Sequence, residues 1–410
     1  MTRLGALASP LVRAARRLDV ACQRTLWPDA RAVVFDARSA MEYGMMAPVH
    51  RRLLADPRVA TALMSSDRPD RAAAIFREAP REVPILSPRE AMTKRFDAYL
   101  AADFVWASLP RGTARVQMFH GVAGKFSREY DRPDRSMRQW HRLFFINGRR
   151  LENYIATGAI DRDSASSRLV GMPKSDCLLD GTLTRDGVLR AHGIDTAATT
   201  VLYAPTWTRF SSLNVMGEEI VRRLIDAGYH VLVKLHELSL DAAVVNSGGV
   251  DWLARLQPLV AGGRGRILTC ADASPWLIAS DVLITDHSSI GFEYLLLDRP
   301  LIRVAMPRLL TGADVGAEYV DLMTRVSTTA ESPAAVVEAV DRAVADRGQL
   351  SDARRAVAAE LFHAPGRATD RAIEELYALM ELERRACVPA ERAQVVPAAA
   401  ERVLSGDRCA

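Results

Sequence analysis

The chain has 410 residues, of which 49% are apolar and 25% are charged, and its formal net charge is +4. This composition is typical of a globular protein and excludes a disordered or collagen-like chain. The length suffices for two α/β domains with substantial cores. A net charge of +4 is small for this length and does not favour a nucleic-acid partner.

The cysteines, at positions 22, 177, 270, 387 and 409, are odd in number and form no Cys-x-x-Cys pair. This pattern favours reduced thiols over a disulfide framework or a zinc site, and it predicts a cytoplasmic protein. No apolar run reaches the roughly 20 residues that a membrane-spanning helix needs. Arginines at 13, 16 and 17 interrupt the N-terminal apolar stretch, so we expect no signal peptide there.

The pattern of residues 1–30 predicts a basic amphipathic helix, with Ser9 as its N-cap and Pro10 at the first helical position. Its apolar stripe lies beside arginines at 13, 16, 17 and 24 and consists of Leu11, Ala14, Ala15, Leu18, Cys22 and Leu26. Two interpretations stay open. The helix lies on the anionic inner face of the cell membrane as a peripheral anchor, or it packs its stripe against the protein.

Residues 31–176 alternate apolar runs with helical stretches, which predicts a doubly wound Rossmann-like domain. The predicted strands are Ala32–Phe35, Val59–Met64, Val83–Leu86, Ala98–Val105, Val116–Phe119, Leu143–Ile146 and Arg168–Val170. The fifth strand runs directly into His120 and Gly121, and Lys125 follows on the same turn. An imidazole at a strand end is a candidate general base, because its ordinary pKa lies near neutrality. A histidine that merely bonds a loop carbonyl is an equally open interpretation.

The pattern of residues 177–365 predicts a second Rossmann-like domain that starts with a polar helical link. Its strands are expected near Val201, Val231, Arg266, Val282 and Leu301. Helices from about 352 to 383 follow. A C-terminal helix at 366–387 is expected to cross back to the first domain. The tail at 388–410 is rich in Ala, Pro and Arg and is expected to be mobile.

The strand Val201–Ala204 ends at a proline, and Thr206, Trp207 and Arg209 occupy the loop behind it. Arg209 is a candidate phosphate ligand. Trp207 either covers a base or sugar or fills the core, and for this residue alone the second interpretation is favoured.

The strand from His230 ends in Lys234, His236 and Glu237. Charged residues that close a buried strand either hold a ligand or are simply solvated, and the local pattern does not decide between the two.

The most informative stretch is 273–302, which predicts helix, strand, polar turn, helix and strand. Its apolar run ends at Thr285 and is followed by Asp286, His287, Ser288 and Ser289. Backbone N–H groups and the positive end of a helix dipole converge at such a junction, which suits a phosphate. An ordinary N-cap needs only one serine. The additional polar residues, among them Glu293 in the first helical turn, therefore favour a nucleotide-diphosphate site.

Five motifs occur in the order that the CDP-glycerol glycerophosphotransferase family shows: HG at 120–121, GMPKSD at 171–176, YAPTW at 203–207, KLH at 234–236 and ITDHSSIGFEYLLLDRPLI at 284–302. The chain therefore resembles the teichoic-acid primases and polymerases. It departs from their pattern in three places. The HG turn continues as VAGK instead of TP and a lysine, His287 stands where the family usually has Tyr, and 234–237 reads KLHE instead of a Lys-Pro-His-Pro-like strand end.

The resemblance implies a GT-B fold, in which an acceptor domain at 31–176 faces a nucleotide-donor domain at 177–365 across a cleft. It also implies a CDP-alcohol donor, with CDP-glycerol as the first expectation. The implied residues on the donor or phosphate side are Thr206, Arg209, Lys234, Thr285, Asp286, Ser288, Ser289 and Glu293, the last on the ribose hydroxyls.

In the implied reaction, His120 takes the proton of an acceptor hydroxyl that attacks the β-phosphate, and CMP leaves. His236 is a second proton carrier or an orienting donor, and Gly121 and Lys125 lie on the acceptor side. The acceptor is expected to be lipid-linked or an oligosaccharide of a teichoic-acid-type or capsule-type polymer. No Asp-x-Asp motif lies near these residues, so no metal or other cofactor is required for binding, and a Mg²⁺ dependence stays open.

Two other functions stay open. One is a different nucleotide-sugar GT-B enzyme, either a glycosyltransferase or a UDP-sugar 2-epimerase, although YAPTW and the Ser288-Ser289 pair argue against the epimerase. The other is a non-catalytic assembly subunit, against which the intact set of histidines and serines argues.

Overall fold

The computed structural model describes residues 30–102, 107, 109, 112–125, 135–243 and 247–383. These residues form two β-sheets in which every neighbouring pair of strands is parallel. The predicted N-terminal helix at 1–30 and the predicted tail at 388–410 lie outside the described residues, apart from residue 30.

The first sheet has the strand order β3-β2-β1-β4-β5-β6-β7. Its strands are β1 (Arg31–Asp36), β2 (Val59–Met64), β3 (Ile85–Leu86), β4 (Ala98–Ala101), β5 (Ala114–Met118), β6 (Arg142–Phe145) and β7 (Ser167–Leu169). The helices between them are α1 (Ala40–Leu54), α2 (Ala72–Ile75), α3 (Pro88–Thr93) and α4 (Gly148–Ala156), with 3-10 turns at Pro69–Arg71 and Arg135–Gln139.

A link with a 3-10 turn at Pro173–Leu178 and helix α5 (Arg185–Ala191) leads to the second sheet, of order β10-β9-β8-β11-β12-β13. Its strands are β8 (Thr200–Tyr203), β9 (His230–Lys234), β10 (Gly265–Leu268), β11 (Val282–Thr285), β12 (Leu301–Val304) and β13 (Thr328–Ala330). The helices between them are α6 (Ser212–Asp226), α7 (Trp252–Val260), α8 (Ser274–Ala279), α9 (Ile290–Tyr294), α10 (Pro307–Gly312) and α11 (Ala317–Arg325), with 3-10 turns at Glu237–Ser239 and Leu295–Leu297. Helices α12 (Pro333–Ala345), α13 (Ser351–Leu361) and α14 (Ala368–Leu379) follow.

The clearest differences from the sequence prediction concern two strands. β13 was not predicted, because three residues at a sheet edge are too short for a recognisable pattern. The predicted strand at 83–86 is only two residues long. The helices predicted from about 352 to 383 are α13 and α14, which are separate because Ala364 and Gly366 between them have positive φ angles that a helix does not permit.

The last helix crosses back to the first sheet, as predicted. The Arg31 Nε donates to the carbonyl of Met380 at 2.6 Å, and the Tyr377 hydroxyl donates to Asp56 at 2.7 Å. The two halves of the molecule are therefore connected both by the chain link and by α14.

The GMPKSD motif forms the link between the halves. Gly171 has a φ of +89°, and a Cβ there would lie 2.7 Å from the carbonyl oxygen of His363, so only glycine fits. The Asp176 carboxylate accepts hydrogen bonds from the backbone N–H groups of Ala368 and Thr369 at 3.0 and 2.7 Å. The motif thus fixes the start of α14.

No helix among the described residues is both long enough and apolar enough to cross a bilayer.

Candidate functional site

The site lies where the strand order of the second sheet reverses. β8 and β11 are neighbours there, although they are separated by two strands in the sequence. Their connections leave in opposite directions, which opens a crevice at the carboxyl ends of the two strands, the usual ligand position in such sheets. The loop after β8 carries Thr206, Trp207 and Arg209, and the loop after β11 carries residues 286–289. The structure therefore brings the two predicted loops together.

Asp286 joins the two loops. One carboxylate oxygen accepts the backbone N–H of Thr206 at 2.9 Å, and the other accepts the backbone N–H and the hydroxyl of Ser212 at 3.0 and 3.2 Å. The first oxygen also accepts the N–H of His287 at 2.7 Å. The side chain is completely buried. This geometry corrects the predicted phosphate role: Asp286 is occupied by protein donors and positions the loops.

Thr285 needs the same correction. Its hydroxyl donates to the carbonyl of Ala204 at 2.7 Å, and the residue is fully buried between strands. Its hydroxyl is therefore occupied by a protein acceptor, and the residue joins the ends of β8 and β11.

Ser288 and Ser289, on the loop after β11, are accessible: the first is half-buried and the second is exposed. The helix that they precede, α9, has only five residues. The dipole of so short a helix is small. An anion at this turn would therefore depend on the two hydroxyls and the local N–H groups more than on the helix dipole that the sequence suggested.

Glu293, in the first turn of α9, accepts a hydrogen bond from the Lys174 ammonium at 2.9 Å, and both side chains are about nine-tenths buried. Lys174 belongs to the GMPKSD link and was not among the predicted site residues. The only sequence signal for it was its place in that motif.

Lys234 and His236 are not simply solvated, which was one of the two open interpretations. The Lys234 ammonium donates to the carbonyl of Leu235 at 2.8 Å, and burial lowers its pKa. The His236 Nδ1 accepts the backbone N–H of Leu238 at 3.1 Å. Burial, with Lys234 and Lys125 nearby, lowers the pKa of His236 to about 4. Near pH 7 the ring is therefore neutral with its proton on Nε2, which makes it a hydrogen-bond donor and not a base.

His120 has the opposite tautomer. Its Nδ1 lies 2.6 Å from the carbonyl oxygen of Ala102, which can only accept, so Nδ1 carries the proton. The neutral ring then presents an unprotonated Nε2. From the sequence alone, a hydrogen bond to a loop carbonyl and a role as general base were alternative interpretations of His120. In the structure the two are compatible, because this bond fixes the tautomer that a base requires.

The turn after His120 reaches the second half of the molecule. The carbonyl of Lys125 accepts the N–H of Gly316 at 3.0 Å. Burial lowers the pKa of the Lys125 ammonium, while the charge of Asp286 opposes that shift. Gly121 lies above the buried Arg150, whose guanidinium would be 3.4 Å from a Cβ at this position. Lys125 therefore lies at the interface of the two halves.

The remaining predicted residues differ in exposure. Trp207 is half-exposed, and its ring centroid lies 6.1 Å from that of His236, so it does not fill the core. Arg209 is exposed and lies over the ring of Phe210 at 4.8 Å. Thr206 is buried, and its hydroxyl has no hydrogen-bond partner among the described residues. Within the same residues there is no cluster of three or more His, Cys, Asp or Glu that could hold a metal ion.

His287 is completely buried, and neither of its ring nitrogens has a hydrogen-bond partner in the described part of the chain. Burial, together with the charge of Arg303, lowers its pKa to about 4. An unpartnered polar atom in the interior costs roughly 1–3 kcal/mol. The sequence showed that this residue departs from the family pattern but gave no sign of its burial.

Comparison with known proteins agrees with the family resemblance of the sequence motifs. A family model described as CDP-Glycerol:Poly(glycerophosphate) glycerophosphotransferase matches residues 102–377. None of the curated proteins matches the chain.

Among solved structures, the wall teichoic acid polymerase TagF is similar with a TM-score of 0.64 and 15% identity, over 93% of this chain and 99% of that one. A TagF variant soaked with CDPG gives 0.65 and 14%, over 94% and 100%. A putative UDP-N-acetylglucosamine 2-epimerase from Listeria monocytogenes gives 0.55 and 15%, over 87% and 98%. At these identities the likeness shows the fold alone, and it confirms the predicted GT-B-like α/β architecture with two Rossmann-like units.

The buried imidazole of His287 predicts an acid-sensitive fold. The ring stays neutral in the folded state down to a pKa of about 4, whereas in the unfolded chain it takes up a proton near 6.5. The stability that this group contributes is therefore complete above pH 6.5 and is lost as the pH falls towards 4. At pH 5 the loss is about 2 kcal/mol. In denaturant titrations at pH 7 and pH 5, His287→Phe should reduce the difference between the two unfolding free energies by that amount. An unchanged difference would contradict the burial of a neutral ring.

Proposed function

The chain belongs to the CDP-glycerol:poly(glycerophosphate) glycerophosphotransferase family, and from this premise we propose that it transfers glycerol phosphate from CDP-glycerol to an acceptor hydroxyl and releases CMP. Family membership makes it a CDP-glycerol glycerophosphotransferase-type enzyme. We propose further that the acceptor is a lipid-linked or oligosaccharide chain of a teichoic-acid-type or capsule-type polymer, because TagF, which shares the fold, is a wall teichoic acid polymerase. The observation that carries the proposal is the pair of histidines with opposite tautomers, one suited to accept a proton and one suited to donate a hydrogen bond.

The donor diphosphate is proposed to lie at the β8–β11 crevice. Ser288 and Ser289 offer hydroxyl donors at its opening. Lys234 forms no salt bridge within 4 Å among the described residues; the more distant charges of Asp272 and Glu78 oppose the effect of its burial, and a phosphate would supply a close counter-ion. Arg209 and Thr206 lie on the facing loop and add a guanidinium and a hydroxyl. Glu293 is proposed to accept from the ribose hydroxyls.

In the proposed reaction the acceptor oxygen attacks the β-phosphorus, and the Nε2 of His120 takes its proton. A new bond forms between that oxygen and phosphorus. The bond from phosphorus to the bridging oxygen breaks, and CMP leaves with the electron pair. The neutral Nε2–H of His236 and the Lys234 ammonium stabilise the charge that develops on the phosphate oxygens. Gly121 and Lys125 lie on the acceptor side of the cleft.

The second candidate is a UDP-sugar 2-epimerase, because an epimerase structure shares the fold with a TM-score of 0.55. The family match and the Ser288–Ser289 pair favour the transferase.

The donor assay separates these functions and tests His120. The full chain is incubated with CDP-glycerol, CDP-ribitol or UDP-N-acetylglucosamine and an acceptor extract, and products are separated by chromatography. We expect CMP from CDP-glycerol. In His120→Ala turnover should fall by about 10²-fold or more, the usual scale for a positioned base. The matched control His363→Gln, a half-buried histidine whose side chain makes no hydrogen bond among the described residues, should retain turnover.

Interconversion of the UDP-sugar would instead favour the epimerase. Binding of CDP-glycerol without any product would favour the non-catalytic assembly subunit. Near-normal turnover of folded His120→Ala would remove this residue from the mechanism.

Removal of the crevice hydroxyls tests the diphosphate position. In Ser288→Ala/Ser289→Ala, calorimetric titration should show weaker binding of CDP-glycerol by about 10²-fold, since two donors to a charged group are lost. The control Ser164→Ala/Ser166→Ala removes two hydroxyls that lie 2.8 Å apart near the start of β7. It should leave the affinity unchanged. Equal affinities of all three proteins would place the diphosphate elsewhere.

The chain is proposed to act in the cytoplasm at the inner membrane face, through the basic helix predicted at 1–30. Each arginine near an anionic leaflet contributes about 1 kcal/mol, and salt screens this attraction. The wild type should therefore float with anionic vesicles at low salt, and Arg13→Gln/Arg16→Gln/Arg17→Gln should not. Absence of flotation, together with a lowered melting temperature of Leu11→Asp/Leu18→Asp, would instead show that the stripe is part of the core.

A further inference from the structure

The Lys174–Glu293 ion pair joins the interdomain link to the donor crevice. The ammonium and the Glu293 Oε2 are 2.9 Å apart, and the side chains are 12% and 9% exposed, respectively. Lys174 lies in the 3-10 turn of the link, while Glu293 lies in α9, directly behind the serine pair. The contact therefore connects two segments that are 119 residues apart in the sequence.

The geometry leaves one oxygen of Glu293 available. Lys174 holds Oε2, and in the described part of the chain Oε1 has no protein donor. Oε1 is also not one of the fully buried polar atoms that lack a partner, so it is accessible to solvent. A carboxylate in this state accepts a hydrogen bond from a ligand hydroxyl with one oxygen while the other is fixed.

The backbone that carries Lys174 is fixed independently. Three residues before it, Gly171 lies against the carbonyl of His363. Two residues after it, Asp176 binds the first N–H groups of α14. The turn that carries Lys174 is thus fixed on both sides. Because the Lys174 ammonium binds Glu293, the link also fixes the position of the Glu293 carboxylate.

The ammonium of the pair is charged. Burial opposes the charge of Lys174, but Glu293 and Asp272 outweigh it and hold the pKa of the ammonium above its ordinary value. Removal of the ammonium would leave a buried carboxylate without a partner, which either takes up a proton or changes its rotamer. A protonated carboxyl accepts a weaker hydrogen bond from a ligand hydroxyl, and a changed rotamer moves the acceptor from its original position.

We propose that Lys174 is a positioning residue that orients Glu293 so that its available oxygen accepts a hydrogen bond from a ribose hydroxyl of the cytidine nucleotide. This inference rests on the proposed function, because it assumes that the donor carries a cytidine diphosphate. It adds that the interdomain link takes part in recognition of the ribose.

Calorimetric titration of the full chain with CDP and with 2′,3′-dideoxy-CDP tests the proposal without requiring turnover. The wild type should prefer CDP by about tenfold or more, the size of one hydrogen bond to a charged group. Lys174→Met should bind CDP about tenfold more weakly and the dideoxy nucleotide as before, and Lys174→Arg should restore most of the preference. In CMP-release kinetics, Lys174→Met should raise KM for CDP-glycerol by a similar factor and leave kcat within about twofold.

The matched control is Arg185→Met. It breaks another buried ion pair, Arg185 with Asp281 at 2.8 Å, next to the amino end of β11 and so at the opposite end of that strand from the crevice. It should retain the full preference for CDP.

Two outcomes would overturn the proposal. In one, the wild type binds CDP and 2′,3′-dideoxy-CDP with equal affinity. In the other, folded Lys174→Met binds both nucleotides more weakly by the same factor. If Lys174→Met does not fold, Lys174→Met/Glu293→Leu removes the unpaired charge together with the acceptor and takes its place: equal affinity for both nucleotides supports the proposed ribose contact of Glu293, and a retained preference for CDP refutes it. A wild type that prefers CDP but releases no CMP from CDP-glycerol would refute the proposed function and leave the role of Lys174 intact.

Discussion

The crevice depends on the carboxylate of Asp286. A buried charge is tolerated only when hydrogen bonds replace its hydration, and here the backbone N–H groups of Thr206, Ser212 and His287 do so. The same bonds hold the loop after β8 at a fixed distance from the loop after β11. Since the two loops belong to strands that are far apart in the sequence, no local interaction could fix them. Asp286 therefore forms the site without contacting a ligand.

Much of the fold could be predicted from the sequence, because parallel strands buried on both faces appear as apolar runs with polar residues at their ends. Val59–Met64 was predicted with its observed bounds, and the polar ends of β5, β8, β9 and β11 identified the site loops. The roles of individual residues were less predictable. Asp286, Ser288 and Ser289 look equally suited to a phosphate in sequence, and only the tertiary contacts show that the first is occupied while the other two are accessible. Lys174 was missed for a similar reason, since its partner Glu293 is 119 residues away.

The two histidines show why residue type alone could not assign the chemistry. A neutral imidazole has one donor and one acceptor nitrogen, and its second contact decides which nitrogen is which. For His120 that contact is a carbonyl, and for His236 it is a backbone N–H. The first ring therefore offers a lone pair and the second offers a proton. The pKa of about 4 for His236 supports this division, because a ring that stays neutral throughout the physiological range donates a hydrogen bond without transferring its proton.

The link between the halves connects these local arrangements to the whole molecule. Within six residues, Gly171 and Asp176 bind the segment that returns to the first sheet, and Lys174 binds the donor crevice. The Lys125 turn comes from the first half of the molecule, and its carbonyl accepts the N–H of Gly316. A rotation of one half relative to the other would strain both contacts, so the position of His120 relative to the proposed phosphate site and the orientation of Glu293 are coupled. In a cleft enzyme this coupling has a chemical consequence. In the proposed mechanism, the geometry that recognises the nucleotide is also the geometry that brings the base to the reacting oxygen, and reaction is favoured only when both substrates are in place.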